Sequence, residues 1–201
     1  MSTTLYHHLA KPPVPGAPLV FAFHGTGGDE HQFFGLIEQT LPAAGIISPR
    51  GDISEHGANR FFRRTGEGVY DMPDLAARTT KMAAFIRAHI AANQGSAIYG
   101  LGYSNGANIL ASVLLSEPHL FDRAVLMHPL VPWTPAANPT LKATAILITA
   151  GRSDPICPLP LTQSLDQYFR AQGSATQLYL HNGGHEVRQD ELAAIGDFMR
   201  K

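Results

Sequence analysis

The run Ile98-Tyr99-Gly100-Leu101-Gly102-Tyr103-Ser104-Asn105-Gly106-Ala107-Asn108 constrains this chain more than any other. A short apolar stretch leads into Gly102-Tyr103-Ser104-Asn105-Gly106, a G-x-S-x-G pattern, and a helical stretch leaves it. In that setting the pattern predicts a tight strand-to-helix turn that lifts a serine hydroxyl above a parallel sheet. Such a turn strains the serine backbone, and glycines on either side leave space that a Cβ would fill. The first helical turn points free N–H groups and the positive end of its dipole at the same spot, which suits an oxyanion. In a chain with 19 glycines the pattern also arises by chance, so it has competitors. One is a plain strand–helix turn. Another is a nucleotide-binding turn, since Gly100-Leu101-Gly102 nearly opens a G-x-G-x-x-G fingerprint. Its sixth position is Asn105, and no strand ending in an acidic residue follows about 20 positions on. The nucleotide reading is weak.

Strand and helix signals alternate along the rest of the chain. Residues 11–18 hold too many prolines for a helix or a central strand and form a surface lead-in. A leading strand fits over 5–9. The continuous apolar run 19–23 reads as a strand buried on both faces. It ends in His24-Gly25-Thr26-Gly27-Gly28-Asp29-Glu30. Residues 30–41 then read as a helix with Phe33, Phe34, Leu36 and Ile37 available for burial and Asp29 as its N-cap. A buried strand follows over 45–48, stopped by Pro49. Residues 50–70 show no periodicity and read as a long loop, and such loops tend to be functional. An amphipathic helix occupies 71–93 with Gly95 as its stop. Further strands are expected at 97–100, 124–128, 144–150 and 177–180, and helices at 105–116, 159–172 and 189–200. The pattern predicts one α/β domain over 1–201, built on a mostly parallel central sheet with helices on both faces.

Bulk properties exclude several functions. A formal charge of −1 gives no electrostatic case for nucleic acid or an anionic membrane. The single cysteine, Cys157, rules out an internal disulfide and a multi-cysteine metal site. Its role is that of a packed thiol, since no histidine is committed to it. The N-terminus lacks the charged start and apolar core of a signal peptide, and no apolar run approaches the ~18 residues of a membrane span. A cytoplasmic protein that needs neither metal nor cofactor is the expectation, with a small-molecule ester as its partner. The sequence is compatible with a homodimer.

Functional groups in open α/β sheets gather at the carboxyl ends of the strands. Four such ends carry distinctive residues here: His24 to Gly28, Ser104, Asp154 and His185. A serine hydroxyl needs a base within hydrogen-bond reach to act as a nucleophile. Histidine suits that task, and a carboxylate then fixes its tautomer and stabilises the imidazolium. The order Ser104, Asp154, His185 matches one known order of such triads. Asp154 before Pro155 is also good turn chemistry. Asp122, Asp166 and Asp190 are rival acids; His128 and His181 are rival bases, and His181 is the more serious. Acyl transfer further needs two N–H donors for the oxyanion. One is the backbone N–H of Asn105, and the other comes from the His24–Gly28 loop, with Thr26 the favoured residue. Asp29 and Glu30 at the end of that loop argue against a phosphate cradle.

Together these motifs resemble the phospholipase/carboxylesterase family of α/β-hydrolases, small bacterial serine esterases related to acyl-protein thioesterases. The matching residues are His24-Gly25-Thr26-Gly27-Gly28-Asp29, Gly102-Tyr103-Ser104-Asn105-Gly106-Ala107, Gly151-Arg152-Ser153-Asp154-Pro155-Ile156 and Gly184-His185. Pro49-Arg50-Gly51-Asp52 with Asn59-Arg60-Phe61-Phe62-Arg63-Arg64 is similar to a subgroup of hydrolases linked to quinone-type stress. The resemblance implies an α/β-hydrolase fold, Ser104 as nucleophile, His185 as general base, Asp154 as orienting acid, and Thr26 and Asn105 as oxyanion donors. No insertion is large enough for a lid domain, which favours small or medium acyl esters over a buried triglyceride. A thioesterase or lysophospholipase would use the same machinery, and a non-catalytic ligand binder of the same fold is the alternative outside the enzymes. For the substrate, Arg60, Phe61, Phe62, Arg63 and Arg64 are candidates for one side of the site's mouth. Leu130, Val131 and Trp133 are candidates for another. An arginine there would select a substrate carboxylate; a solvated face and a packing tryptophan are the equal alternative.

Overall fold

The computed structural model describes residues 2–93 and 96–201. Its strands are β1 (His8–Lys11), β2 (Leu19–Phe23), β3 (Gly45–Pro49), β4 (Ile53–Glu55), β5 (Ala58–Arg60), β6 (Arg64–Gly66), β7 (Val69–Tyr70), β8 (Ile98–Tyr103), β9 (Arg123–Met127), β10 (Ala145–Gly151) and β11 (Ala175–His181). The α-helices are α1 (Phe34–Thr40), α2 (Met72–Ala92), α3 (Asn105–Ser116), α4 (Leu159–Ala171) and α5 (Gln189–Arg200). The central sheet has seven strands in the order β1-β3-β2-β8-β9-β10-β11. All its neighbours run parallel except β1, which pairs antiparallel with β3 at the edge.

The period of two along the strands divides the core. In β2, Leu19, Phe21 and Phe23 face a layer that includes Phe85 of α2, Leu110 of α3 and Phe169 of α4. The alternate residues Val20 and Ala22 face Ile37 of α1 and Ile195 and Phe198 of α5. Helices therefore cover both faces, and the strands read as continuous apolar runs because neither side meets water. The sheet order reverses between β3-β2 and β8, so the carboxyl ends of β2 and β8 open a crevice between them.

Several boundaries differ from the sequence reading for identifiable reasons. β8 runs on to Tyr103 through Gly100 and Gly102, residues that weaken any strand signal. Helix α1 starts at Phe34, and Asp29 instead accepts the His31 N–H at 2.9 Å within a preceding turn. Residues 50–70 are not an unstructured loop. They form two antiparallel pairs, β4–β5 and β6–β7, whose strands of two or three residues are too short to show periodicity. The leading strand sits at His8–Lys11 rather than 5–9. Asp71 caps α2 by accepting the Asp74 N–H at 3.1 Å, while Gly95, the expected stop, lies outside the described residues. Among the described residues no helical lid covers the site, and no helix is long and apolar enough to cross a membrane.

Candidate active site

Ser104 stands between β8 and α3 with φ 52° and ψ −117°, a conformation that an L-residue adopts only when its surroundings impose it. Its N–H donates to Met127 O of the neighbouring strand at 2.8 Å. A Cβ on Gly102 would lie 2.5 Å from the carbonyl oxygen of Gly106, and one on Gly106 would lie 2.5 Å from that of His24. The two glycines let α3 approach β8 and β2 closely enough to hold the turn.

The three residues at the ends of β8, β10 and β11 meet. His185 Nε2 lies 2.9 Å from Ser104 Oγ, and His185 Nδ1 lies 2.7 Å from Asp154 Oδ2. With Asp154 ionised, Nδ1–H donates to the carboxylate and Nε2 is left to accept the serine proton. The other carboxylate oxygen, Oδ1, accepts the backbone N–H groups of Ile156 at 2.8 Å and Cys157 at 2.9 Å. Burial would raise the Asp154 pKa, but the Cys157 N–H, His128, His185 and the Ile156 N–H outweigh it and hold the carboxyl below its usual range. Tyr103 donates its hydroxyl to His185 O at 2.6 Å and steadies the loop that carries the imidazole. This arrangement can draw a proton from the serine hydroxyl and hold the resulting imidazolium.

The rival residues divide. Asp122 accepts the Ile98 N–H at 2.7 Å, Asp166 pairs with Arg170 at 2.9 Å, and Asp190 sits in the first turn of α5. None of these three touches a histidine near Ser104 among the described residues. His128 and His181 do not reach Ser104 either: His128 Nδ1 is 2.9 Å from Asp154 Oδ2, and His181 Nε2 is 3.4 Å from His128 Nε2.

In the loop after β2, the N–H of Gly25 donates to Gln32 Oε1 at 2.8 Å, that of Gly27 to Asn59 O at 2.9 Å, and that of Gly28 to Gly25 O at 3.0 Å. This leaves the Thr26 N–H with no partner among the described residues. The Thr26 hydroxyl accepts from Arg60 Nη1 at 2.8 Å, which pins the loop from above. Below it, neutral His24 donates Nδ1–H to Gly25 O at 2.7 Å and accepts the Gly51 N–H at Nε2, 2.8 Å away. Burial keeps its pKa below the ordinary value. Asn105 opens α3, so its N–H has no acceptor within the helix. Its side chain is fixed by accepting the Phe61 N–H at 2.8 Å.

A cavity of about 290 Å³ opens over these groups. Of the residues expected there, Thr26, Arg60, Arg64, Ser104, Asn105, Leu130 and His185 line it. Four others do not. Phe61 and Phe62 are fully buried core residues: Phe61 stacks on His24 at 4.6 Å between ring centroids, and Phe62 meets the Tyr70 ring at 4.8 Å. Arg63 is exposed and donates its backbone N–H to Asp74 at 2.7 Å. Trp133 borders a separate groove with Met72 and Leu115. Arg60 and Arg64 both face Glu55, at 3.5 and 2.9 Å, so neither presents a bare charge. The sequence reading did not single out Tyr70, Asn108 or Glu67, which also line the cavity. Asn108 sits one helical turn beyond Ser104, and that spacing was the available signal. It accepts the Leu130 N–H at 2.7 Å and donates to Tyr70 Oη at 2.8 Å.

Comparison with known proteins gives the family and the fold. Residues 6–201 match the family model for phospholipase/carboxylesterase. The chain belongs to that family. MhqD of Bacillus subtilis, named as a hydrolase with no stated substrate, is 36% identical over 185 residues, covering 91% of this chain and 92% of that protein. A solved structure of a protein of unknown function from Agrobacterium tumefaciens is 53% identical with a TM-score of 0.96, covering 100% of this chain and 98% of the other. The Bacillus cereus carboxylesterase is 30% identical with a TM-score of 0.90, covering 97% and 93% of the two chains. As a member of the phospholipase/carboxylesterase family the chain is a hydrolase on an α/β-hydrolase fold.

Proposed function

We propose that the protein is a serine carboxylesterase that hydrolyses small to medium acyl esters through an acyl-enzyme. The hydrogen-bonded line from Ser104 Oγ through His185 to Asp154 carries this reading. Ser104 Oγ attacks the ester carbonyl while His185 Nε2 takes its proton. The tetrahedral oxyanion forms against the N–H groups of Asn105 and Thr26, each such donor contributing about 3–4 kcal/mol in the transition state. Collapse breaks the acyl–oxygen bond, and His185 returns the proton to the leaving alcohol. Water, deprotonated by His185, then attacks the acyl-Ser104 ester and releases the carboxylic acid with the free serine. Asp154 stays ionised throughout and holds the imidazolium. A cavity of about 290 Å³ fits a compact acyl group better than a long acyl chain.

The test is intact mass after exposure to a fluorophosphonate, which phosphonylates activated serines. One adduct on the wild type and none on Ser104→Ala is the expected result. A folded wild type that stays unlabelled overturns the triad reading, and labelling that survives the substitution overturns the choice of Ser104. A panel of oxygen esters against thioesters then separates the esterase from a thioesterase with the same machinery.

A further inference from the structure

Beneath the triad lies a buried set of titratable side chains that the acyl-transfer cycle leaves unused. His128 follows β9 directly and has φ 50°, like Ser104 a left-handed conformation at a non-glycine residue. Strain of this kind persists only where surrounding contacts hold it in place. Here the His128 N–H donates to Thr149 O at 2.8 Å, and its carbonyl accepts the Cys157 thiol at 3.1 Å. The ring has no exposed surface. Its Nδ1 reaches Asp154 Oδ2 at 2.9 Å, the same oxygen that receives His185. Its Nε2 lies 3.3 Å from Glu191 Oε1.

Glu191, on α5, is equally buried. It accepts the Thr149 hydroxyl and, at 3.1 Å, the Arg188 N–H. Two buried carboxylates thus flank one imidazole, and a buried carboxylate without a compensating charge is costly. Proton positions follow from the neighbours. The Gly183 N–H donates to His181 Nδ1 at 3.0 Å, which leaves the His181 proton on Nε2. That Nε2 faces His128 Nε2 at 3.4 Å and Glu191 Oε2 at 3.7 Å. The three groups have the spacing of a metal site, but a cation would need the very lone pair that this tautomer fills. An unprotonated His128 Nε2 would accept the His181 N–H and leave two buried carboxylates with no counter-charge. A protonated one places its own N–H beside Glu191 and supplies that charge.

We propose that His128 is an imidazolium clamped between Asp154 and Glu191, and that it is a positioning residue whose charge shapes the pH dependence of serine activation. The inference rests on the Ser104–His185–Asp154 reading. Burial pulls the His128 pKa down, yet its bonds to Glu191 and Asp154 outweigh burial and hold it above the ordinary value. The groups facing it are Asp154, Glu191, His181, His185, Tyr103 and Cys157. Burial holds the Tyr103 hydroxyl up at about 12 and pushes the Cys157 thiol up as well, so neither adds a charge near neutrality. The His128 and His185 ring centres are 5.2 Å apart. At that distance a unit charge on His128 repels a second one on His185.

The experiment measures the rate of fluorophosphonate labelling against pH for the wild type and for His128→Asn, which keeps a donor near Asp154 and removes the charge. The acid limb of the Asn variant should move to higher pH. A folded variant with an unmoved limb overturns the proposal. Should the variant fail to fold, ring-nitrogen NMR on the wild type decides. Both His128 nitrogens should still be protonated at about pH 6.5, where a free histidine is half-titrated, and one bare nitrogen there overturns the proposal. A folded wild type that takes no label would instead overturn the triad reading, while the NMR measurement still reports on His128 itself.

Discussion

Gly102→Ala tests whether the tight approach of α3 to β8 sets the geometry of the site. The added Cβ would lie 2.5 Å from Gly106 O, 2.7 Å from Gly106 C and 2.8 Å from Ala107 N. All three are backbone atoms of the first turn of α3, so no side chain can swing aside. Carbon and oxygen settle at about 3.3 Å or more, so the helix start must retreat by about 0.8 Å. Stiffening the unfolded chain stabilises by about 0.4–1 kcal/mol, whereas overpacking costs about 1–3 kcal/mol. Overpacking therefore wins by about 1–2 kcal/mol, or a fall in unfolding temperature of roughly 2–8 °C for a domain of this size.

Reactivity should suffer more than stability. The same retreat carries the Asn105 N–H and the Ser104 turn away from His185, and a misplacement near 1 Å can lower a rate by about 100-fold. Fluorophosphonate labelling rate and thermal unfolding are the two assays. Gly35→Ala is the control, because a Cβ on Gly35 within α1 meets nothing within 4 Å. It should leave labelling unchanged and stabilise slightly. A Gly102→Ala protein that is destabilised yet labels at the wild-type rate would refute the link between helix approach and reactivity. One that is unchanged in both would refute the steric argument itself.

Two further outcomes follow from the charges around the cavity and the core. Arg64→Ala should change the kcat/KM ratio of an anionic ester to a matched neutral ester by about 3–10-fold, the worth of a partly screened charge contact. Arg63→Ala, outside the cavity, should leave that ratio alone; equal effects would remove Arg64 as a selector. The second outcome is read from unfolding temperature against pH, which should fall on both sides of neutrality. Paired to the Arg50 guanidinium, Glu30 has its pKa pulled down to about 2, so its stabilisation is complete above the ordinary glutamate range and is lost as pH falls towards that value. His128, held above its ordinary value, contributes stability that is complete below about pH 6.5 and is lost as pH rises through its folded pKa. Glu30→Gln should flatten the acid side only, and an unaltered acid side would sink that account.

What could be read from the sequence divides by the range of the interaction. Ser104, Asp154 and His185 were legible because each sits at the end of a strand that its own apolar run announces, and because chemistry limits which side chains work there. Phe61 and Phe62, between arginines in a stretch without periodicity, read from the sequence as candidates for the mouth of the site. They are core because the segment joining β5 and β6 packs them against Phe23 and Tyr70, a long-range event that no local pattern encodes.

His128 and Glu191 show the same limit at the site itself. In the sequence His128 reads as a rival base, an alternative to His185. The structure resolves that choice differently, since one carboxylate oxygen of Asp154 takes both imidazoles. Glu191 drew no notice because a glutamate three residues after a helix cap is ordinary capping chemistry, and it does perform that task through the Arg188 N–H. Its second contact exists only because α5 packs against β10 and β11 and brings the carboxylate under the end of β9. A motif can name the candidate atoms for the chemistry. The charged groups packed around them come from elements far apart in sequence, and packing alone brings those together.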